Sequence, residues 1–162
     1  MFFNNGYLQI PAGIYFSGDF TISTWVKVHV YKDFARIIDF RDSIINEAVA
    51  LIFYSTTGNL RLINKNSTIH LSPLPTINDV VAINEWTFIT TTLNGTTAKI
   101  YINGVEKASN LQYIPNAVVR DSCYIGYSYI NVIQMANVDY DDIRIYNRPL
   151  SADEILILMN QN

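Results

Sequence analysis

Apolar and polar side chains alternate along residues 20–28, and this pattern predicts a β-strand with one face in a hydrophobic core. Successive side chains of a strand point to opposite faces, so every second residue falls on the same face. One face of this segment carries Phe20, Ile22, Val26 and Val28, and the other carries Thr21, Ser23, Trp25 and Lys27.

Further segments rich in β-branched and aromatic residues predict additional strands, because such side chains suit a pleated, half-buried surface. These segments are residues 36–40, 48–54, 59–63, 86–93, 98–102, 124–127 and 139–146. Glycine-containing turns at Thr57-Gly58, Asn94-Gly95 and Asn103-Gly104 predict hairpins, because tight turns need positive φ. Residues 72–85 include two prolines and predict a loop or a broken edge strand.

One segment near the C-terminus is typical of a helix. Ser151 and Glu154 match a capping box, and the apolar run of residues 155–159 follows them. Short strands joined by regular turns favour two packed antiparallel sheets. We therefore predict an all-β sandwich with one short C-terminal helix, formed by residues 1–162 as a single domain.

The charge balance excludes several classes of protein. The 162 residues carry 11 Lys+Arg against 14 Asp+Glu, a net charge of −3, and 49% of residues are hydrophobic. A chain this apolar is not disordered, and its acidic balance argues against nucleic acid as a partner. The sequence contains no apolar run long enough to insert into a membrane.

Cys123 is the single cysteine, so the chain forms no internal disulfide. Its apolar neighbours predict a buried small side chain, and a reactive or intermolecular thiol is the alternative. The first residues have neither the basic region nor the apolar core of a signal peptide. We expect either a domain from a longer chain or a protein that leaves its cell without a signal.

Four segments in order resemble the laminin-G-like (LamG-like) domains of the concanavalin A-like lectin/glucanase superfamily. Residues 18–27 resemble the opening strand of the family, and residues 124–126 resemble its "IG" strand. Residues 85–104 are similar to its central hairpin, and residues 141–151, with the sequence DDIRIYNRPLS, resemble its last strand. One departure is the lack of glycine in residues 136–139, because the family usually carries one shortly before the paired aspartates.

The resemblance implies a jelly roll of two curved antiparallel sheets. Most family members are non-catalytic modules of extracellular or surface proteins that bind glycans or proteins, or act as spacers. The expected function is a lectin-like binding or adhesion module that recognises a glycan or a surface protein through edge loops. The alternative is a structural domain that decorates a fibre, a cell surface or a virus-like particle. Either role suggests an extracellular or particle-surface location within a larger multidomain chain or assembly.

Glycosidases of the same superfamily raise the question of an enzyme. Hydrolysis needs two facing carboxylates, yet the four glutamates are scattered and the Glu-x-Asp-x-x-Glu pattern of the glucanases is missing. Asp139 and Asp141 share one strand face, but the resemblance places Asp141 in a structural position. His29 and His70 lack the spacing of zinc ligands or of a nucleophilic triad. We therefore expect no enzymatic activity.

A structural calcium ion is the one cofactor that the resemblance suggests. Many members of the superfamily hold calcium where the last strand meets the N-terminal segment. Asp141 matches by motif, and Asp19 lies at the first strand. The alternative is that the acidic residues cap turns or pair with arginine side chains, namely those of Arg36, Arg41, Arg144 or Arg148.

Exposed aromatic and amide side chains are the expected glycan ligands, because aromatic faces stack on sugar C–H surfaces and amides both donate and accept. The candidates are Tyr127, Tyr129, Asn131, Tyr31 and Tyr113. The alternative for each tyrosine is a half-buried position at the rim of the core. Trp25 and Trp86 lie inside predicted strands, where we expect packing.

Overall fold

The computed structural model describes residues 2–3, 6–65, 76–77, 81–128 and 135–161. These residues form fourteen strands and one helix. The strands are β1 Phe2–Phe3, β2 Leu8–Ile10, β3 Gly13–Ile14, β4 Phe20–Val30, β5 Arg36–Arg41, β6 Ala48–Phe53, β7 Leu60–Lys65, β8 Thr76–Ile77, β9 Trp86–Asn94, β10 Thr97–Ile102, β11 Val105–Leu111, β12 Val119–Arg120, β13 Ser122–Ile125 and β14 Asn137–Tyr146; the helix is α1 Ala152–Met159.

Two six-stranded antiparallel sheets build the sandwich. The first sheet has the order β1-β14-β4-β9-β10-β11, and the second has the order β2-β13-β5-β6-β7-β8. Strands β3 and β12 form a small separate pair. The predicted all-β jelly roll with one short C-terminal helix is confirmed.

The core lies between the two sheets. On β4 the predicted apolar face is confirmed, because Phe20, Ile22, Val26 and Val28 are all fully buried in the main cluster. The second sheet contributes the alternating residues of β6, namely Val49, Leu51 and Phe53. The residues that alternate with these core residues along each strand therefore point away from the core and form the two outer faces of the sandwich.

Helix α1 packs on the outer face of the first sheet. Ile155 and Leu158 form a second apolar cluster with Phe88 and Tyr101 of the sheet. The predicted capping box is present, since the Glu154 amide donates to Ser151 Oγ at 3.3 Å and the Ser151 amide donates to Glu154 Oε2 at 2.8 Å.

The predicted turns have the expected backbone. Gly95 has φ +54°, while Asn103 and Gly104 have φ +49° and +77°, as tight hairpins require. β14 forms without the glycine that the family usually carries. In this strand Asp142 has a positive φ, and it lies where the pairing with β4 shifts register, between Asp141 and Arg144. Among the described residues, no helix is long and apolar enough to cross a membrane.

Cys123 is fully buried between β2 and β5, and its Sγ donates to the Arg120 carbonyl at 3.4 Å. Burial raises the pKa of the Cys123 thiol to about 11. A protonated thiol is a poor nucleophile. The prediction of a buried small side chain is therefore confirmed.

Candidate ligand-binding site

The sandwich places the predicted tyrosines at opposite ends. Tyr31 follows β4, and β5 is the next strand along the chain. Tyr127 follows β13, which ends beside the start of β5, because the Gly126 amide donates to the Ile37 carbonyl. Both tyrosines therefore lie near the start of β5. Tyr113 lies at the other end, where its carbonyl accepts a hydrogen bond from Asn64 Nδ2. Tyr129 and Asn131 fall outside the described residues.

Tyr31 packs at the rim of the core. Its hydroxyl donates to the Val81 carbonyl, and its ring meets Phe53 edge-on with centroids 5.6 Å apart. A Cβ atom at Gly58 would collide with the same ring. Tyr31 therefore holds the 54–59 and 81–85 loops together, which matches the alternative of a half-buried rim position.

Tyr127 belongs to a group of three aromatic rings, here called the tyrosine cluster: Tyr7, Tyr124 and Tyr127. The rings of Tyr7 and Tyr127 stack with centroids 4.6 Å apart, and Tyr124 meets them edge-on at 5.7 and 5.0 Å. Tyr7 is 47% exposed, and the other two are half-buried. Tyr7 and Tyr124 were not predicted as site residues, because the pairing of β2 with β13 joins segments more than 100 residues apart.

A buried ion-pair group lies beside the cluster on the outer face of the second sheet. Asp39 is directly across from Tyr124 in the β13–β5 register. Its carboxylate is 3.1 Å from Arg36 Nε and 2.6 Å from Arg41 Nε, and these three residues are each at most 5% exposed. Burial lowers the pKa of Arg36, and the charge of Asp39 opposes that shift.

The electrostatics of Tyr124 favour its neutral, hydrogen-bonding form. Burial raises the pKa of Tyr124, with smaller contributions from Tyr127 and Tyr7. The phenol of Tyr124 therefore remains a donor at neutral pH. Aromatic faces and phenol hydroxyls are together suited to binding a polar ligand that also presents an apolar face.

The aspartates predicted to bind calcium are engaged elsewhere and do not meet. Asp19 Oδ1 accepts from the Gly95 amide at 2.7 Å, and Asp141 Oδ1 accepts from the Asp142 amide at 3.0 Å. Asp141 pairs with Trp25, six residues from Asp19, or roughly 20 Å along the strand. No cluster of three ligating side chains occurs among the described residues. These residues do not fit a shared calcium ion.

Three further carboxylates of the described chain have structural partners. Glu47 is buried and accepts from Asn116 Nδ2 at 2.6 Å, and Glu106 pairs with Lys99 at 2.8 Å. Asp139 on β14 lies 3.0 Å from His29 Nε2. Pairing with an arginine, an alternative considered for the acidic residues, is seen on the same strand at Asp142, whose Oδ1 lies 2.5 Å from Arg144 Nε.

Comparison with known proteins adds a family match. A family model described as the concanavalin A-like lectin/glucanases superfamily matches residues 2–156. No curated protein sequence matches the chain significantly.

Several solved structures share the fold. Domain 4 of AbnA, a GH43 extracellular arabinanase from Geobacillus stearothermophilus in complex with arabinotriose, has a TM-score of 0.72 and 20% identity, over 98% of this chain and 75% of that chain. The receptor-binding domain of botulinum neurotoxin C/D mosaic serotype has a TM-score of 0.68 and 21% identity, over 89% and 36%. Trypanosoma rangeli sialidase in complex with 2,3-difluorosialic acid has a TM-score of 0.66 and 16% identity, over 88% and 22%. Since identities are low, these likenesses concern the fold.

Proposed function

Because the chain belongs to the concanavalin A-like lectin/glucanase superfamily, we propose that it is a non-catalytic module that binds glycans at the tyrosine cluster. The observation that carries this proposal is the convergence of three tyrosine rings at the edge of the second sheet, with Tyr7 47% exposed. Sugar rings present apolar C–H faces that pack on aromatic side chains, and their hydroxyls pair with phenols. Tyr129 and Asn131, which follow Tyr127 in sequence and lie outside the described residues, stay candidate ligands in this proposal.

Solved relatives support the ligand class and the setting of the module. Domain 4 of AbnA is an extracellular protein's domain in complex with arabinotriose, and the neurotoxin domain is a receptor-binding domain. The chain spans 36% of the neurotoxin domain and 22% of the sialidase. We place this module outside the cell or on a particle surface, within a larger chain or assembly.

The absence of catalysis is part of the proposal. Retaining and inverting glycosidases need two carboxyl groups about 5 to 9.5 Å apart on either side of the bond. Here Glu154 caps α1 and pairs with Arg148 at 2.7 Å, and Glu106 pairs with Lys99. The structural partners of these two glutamates support the proposed absence of catalysis.

Glycan binding is tested with arabinotriose, 3′-sialyllactose and a glycan array, with affinity measured by calorimetry. Replacing one stacking ring, in Tyr7→Ala or Tyr127→Ala, is expected to weaken binding about tenfold. Tyr127→Phe keeps the ring and should retain most of the affinity. Ile44→Ala changes an 88% exposed side chain between β5 and β6, and serves as the matched control.

Two results would contradict the proposal in different ways. If no saccharide binds and none raises the melting temperature, the module does not bind glycans. If a saccharide binds the two alanine variants as tightly as the parent protein, the tyrosine cluster is the wrong site.

An assembly role is the second candidate, and the edge strand β11 favours it. In the described part of the first sheet β11 pairs on one side with β10, and Val105 and Leu111 are 55% and 67% exposed. An open edge is a template for pairing with another strand. Light scattering over a range of concentrations tests this role, and self-association that Leu111→Lys abolishes, without saccharide binding, would favour it over the lectin.

A further inference from the structure

Trp86 is an exposed aromatic residue on a sheet face that the tyrosine cluster does not reach. It opens β9, and its side chain is 45% exposed on the outer face of the first sheet. Phe88, two residues along β9, points to the same face as Trp86. Helix α1 covers Phe88 but leaves Trp86 accessible. Trp86 was predicted to be a packing residue, and its exposure is the first sign of another role.

The strand register places two charged residues in line with this ring. Asp139 of β14, Lys27 of β4 and Trp86 of β9 are direct neighbours across three adjacent strands. All three share the outer face, because Val26 and Val28 on either side of Lys27 are in the core. Strands lie about 4.8 Å apart, so roughly 10 Å separate the backbones of Asp139 and Trp86. The row is long enough for more than one sugar ring.

Polar contacts hold the rim of this row in place. His29 Nδ1 is 3.0 Å from Asn84 Oδ1, and its Nε2 is 3.0 Å from Asp139 Oδ2. The backbone amide of Asn84 donates to the Val28 carbonyl at 2.7 Å, and Asn84 has φ +64°. Asn84, two residues before Trp86 in sequence, is therefore held in a fixed position. Polar groups that are already ordered before binding raise the affinity of a site, because less conformational entropy is lost when the ligand binds.

The charges along the row favour an uncharged ligand. Lys27 lies beside Asp139, so their charges offset each other, and Glu85 adjoins Trp86. An acidic ligand would meet Asp139 and Glu85, and the chain as a whole carries a net charge of −3. Among the described residues, no aromatic ring or cation lies against the Trp86 ring.

We propose that this face is a second saccharide site, in which Trp86 stacks on a neutral pyranose chain while Lys27 and Asn84 donate hydrogen bonds to its hydroxyls. A pyranose with equatorial substituents presents a flat C–H face to an indole ring. The site is separate from the tyrosine cluster, because the two occupy outer faces of different sheets. Both sites can be filled at once, and a module with two sites can bridge neighbouring glycan chains.

Titration of the whole chain with cellotetraose, xylotetraose and mannotetraose tests this site by calorimetry and tryptophan fluorescence. Trp86→Ala is expected to weaken binding about tenfold. The affinity of Trp86→Phe should lie between those of the parent protein and Trp86→Ala. Lys27→Gln should weaken binding several-fold. Lys107→Gln on β11 of the same sheet is the matched control for charge and should leave the affinity unchanged.

The second tryptophan provides a spectroscopic control. Trp25 is half-buried against Phe88, with ring centroids 5.2 Å apart, so Trp25→Phe leaves Trp86 as the only indole. Saccharide binding should then shift the emission to shorter wavelength and protect it from acrylamide. If Trp25→Phe or Trp86→Ala does not fold, the emission change on saccharide binding is measured in the parent protein and in Trp86→Phe, and the difference between the two is assigned to Trp86.

Three results would overturn the second site. They are an unchanged emission with all three saccharides, equal affinity for the parent and Trp86→Ala, and self-association lost in Trp86→Ala without a saccharide response. Tyr7→Ala separates this proposal from the first one, because it should leave cellotetraose binding intact. A loss of cellotetraose binding in Tyr7→Ala alone would assign the saccharide to the tyrosine cluster and also overturn the second site.

Discussion

Asp39 is the centre of the buried ion-pair group on the outer face of the second sheet. Its carboxylate lies between the Arg36 and Arg41 guanidinium groups, and all three side chains are almost fully buried. Burying charge is costly unless partners compensate it, so one carboxylate here offsets part of the cost of two cations. The same contacts fix the strand segment that faces Tyr124.

The variant Asp39→Asn is therefore expected to destabilise the protein by about 3 to 5 kcal/mol, because it leaves two buried guanidinium groups without a counter-charge. Urea unfolding followed by circular dichroism measures the change. The exposed Lys99–Glu106 pair on the other sheet is the control, and Glu106→Gln should cost less than about 1 kcal/mol. Equal effects for the two variants would contradict the role assigned to Asp39.

Helix α1 begins at a cap whose strength depends on pH. Hydrogen bonds from Arg148 and from the Ser151 amide lower the pKa of Glu154 from 4.5 to about 2. A carboxyl whose pKa is lower in the folded state stabilises the fold above its unfolded pKa. That contribution is lost as the pH falls from about 4.5 towards 2.

The melting temperatures of the parent and Glu154→Gln should consequently differ near neutral pH and converge as the pH approaches 2. Ser151→Ala removes the other half of the capping box and should cost about 1 kcal/mol. Glu85→Gln changes an exposed loop carboxylate and is the control. A gap between parent and Glu154→Gln that stays constant down to pH 2 would show that the cap does not depend on the charge.

The turn between β10 and β11 makes Gly104 the more demanding of two hairpin glycines. Both Gly104 and Gly95 have positive φ, but a Cβ atom at Gly104 would also collide with Leu156 of α1, whereas at Gly95 it meets open space. Gly95→Ala should cost about 1 kcal/mol for the backbone alone. Gly104→Ala should cost more in the same unfolding experiment, because the Leu156 side chain must move aside, and equal costs would mean that Leu156 does so without penalty.

The elements show what a single sequence predicts and what it misses. The alternation on β4 and the capping box of α1 are local patterns, and both have the predicted form. β11 was missed because it is an edge strand with a mostly exposed, polar sequence that lacks the apolar alternation of a buried face. Tyr7 joins Tyr127 only through the pairing of distant strands, which no local pattern encodes.

At the scale of the whole molecule, the sandwich separates features that a motif places together. Asp141, by its match to the motif, and Asp19, by its place at the first strand, were the expected calcium ligands. Asp19, however, closes the β9–β10 hairpin at one end, and Asp141 lies within β14. Each carboxylate already accepts a backbone hydrogen bond. The site residues therefore depend on distances between elements, which only the folded chain defines.

Calcium is accordingly expected to leave the stability of the described fold unchanged. A ligand that binds the native state raises its melting temperature with concentration, so a titration to millimolar calcium against a chelator detects a bound ion. Asp19→Ala should lower stability by about 1 to 2 kcal/mol through the lost hydrogen bond to Gly95, and the loss should be the same with calcium and with chelator. A calcium-dependent rise in melting temperature that Asp141→Asn removes would instead place a metal ion at β14. A rise that neither variant affects would place it away from both aspartates.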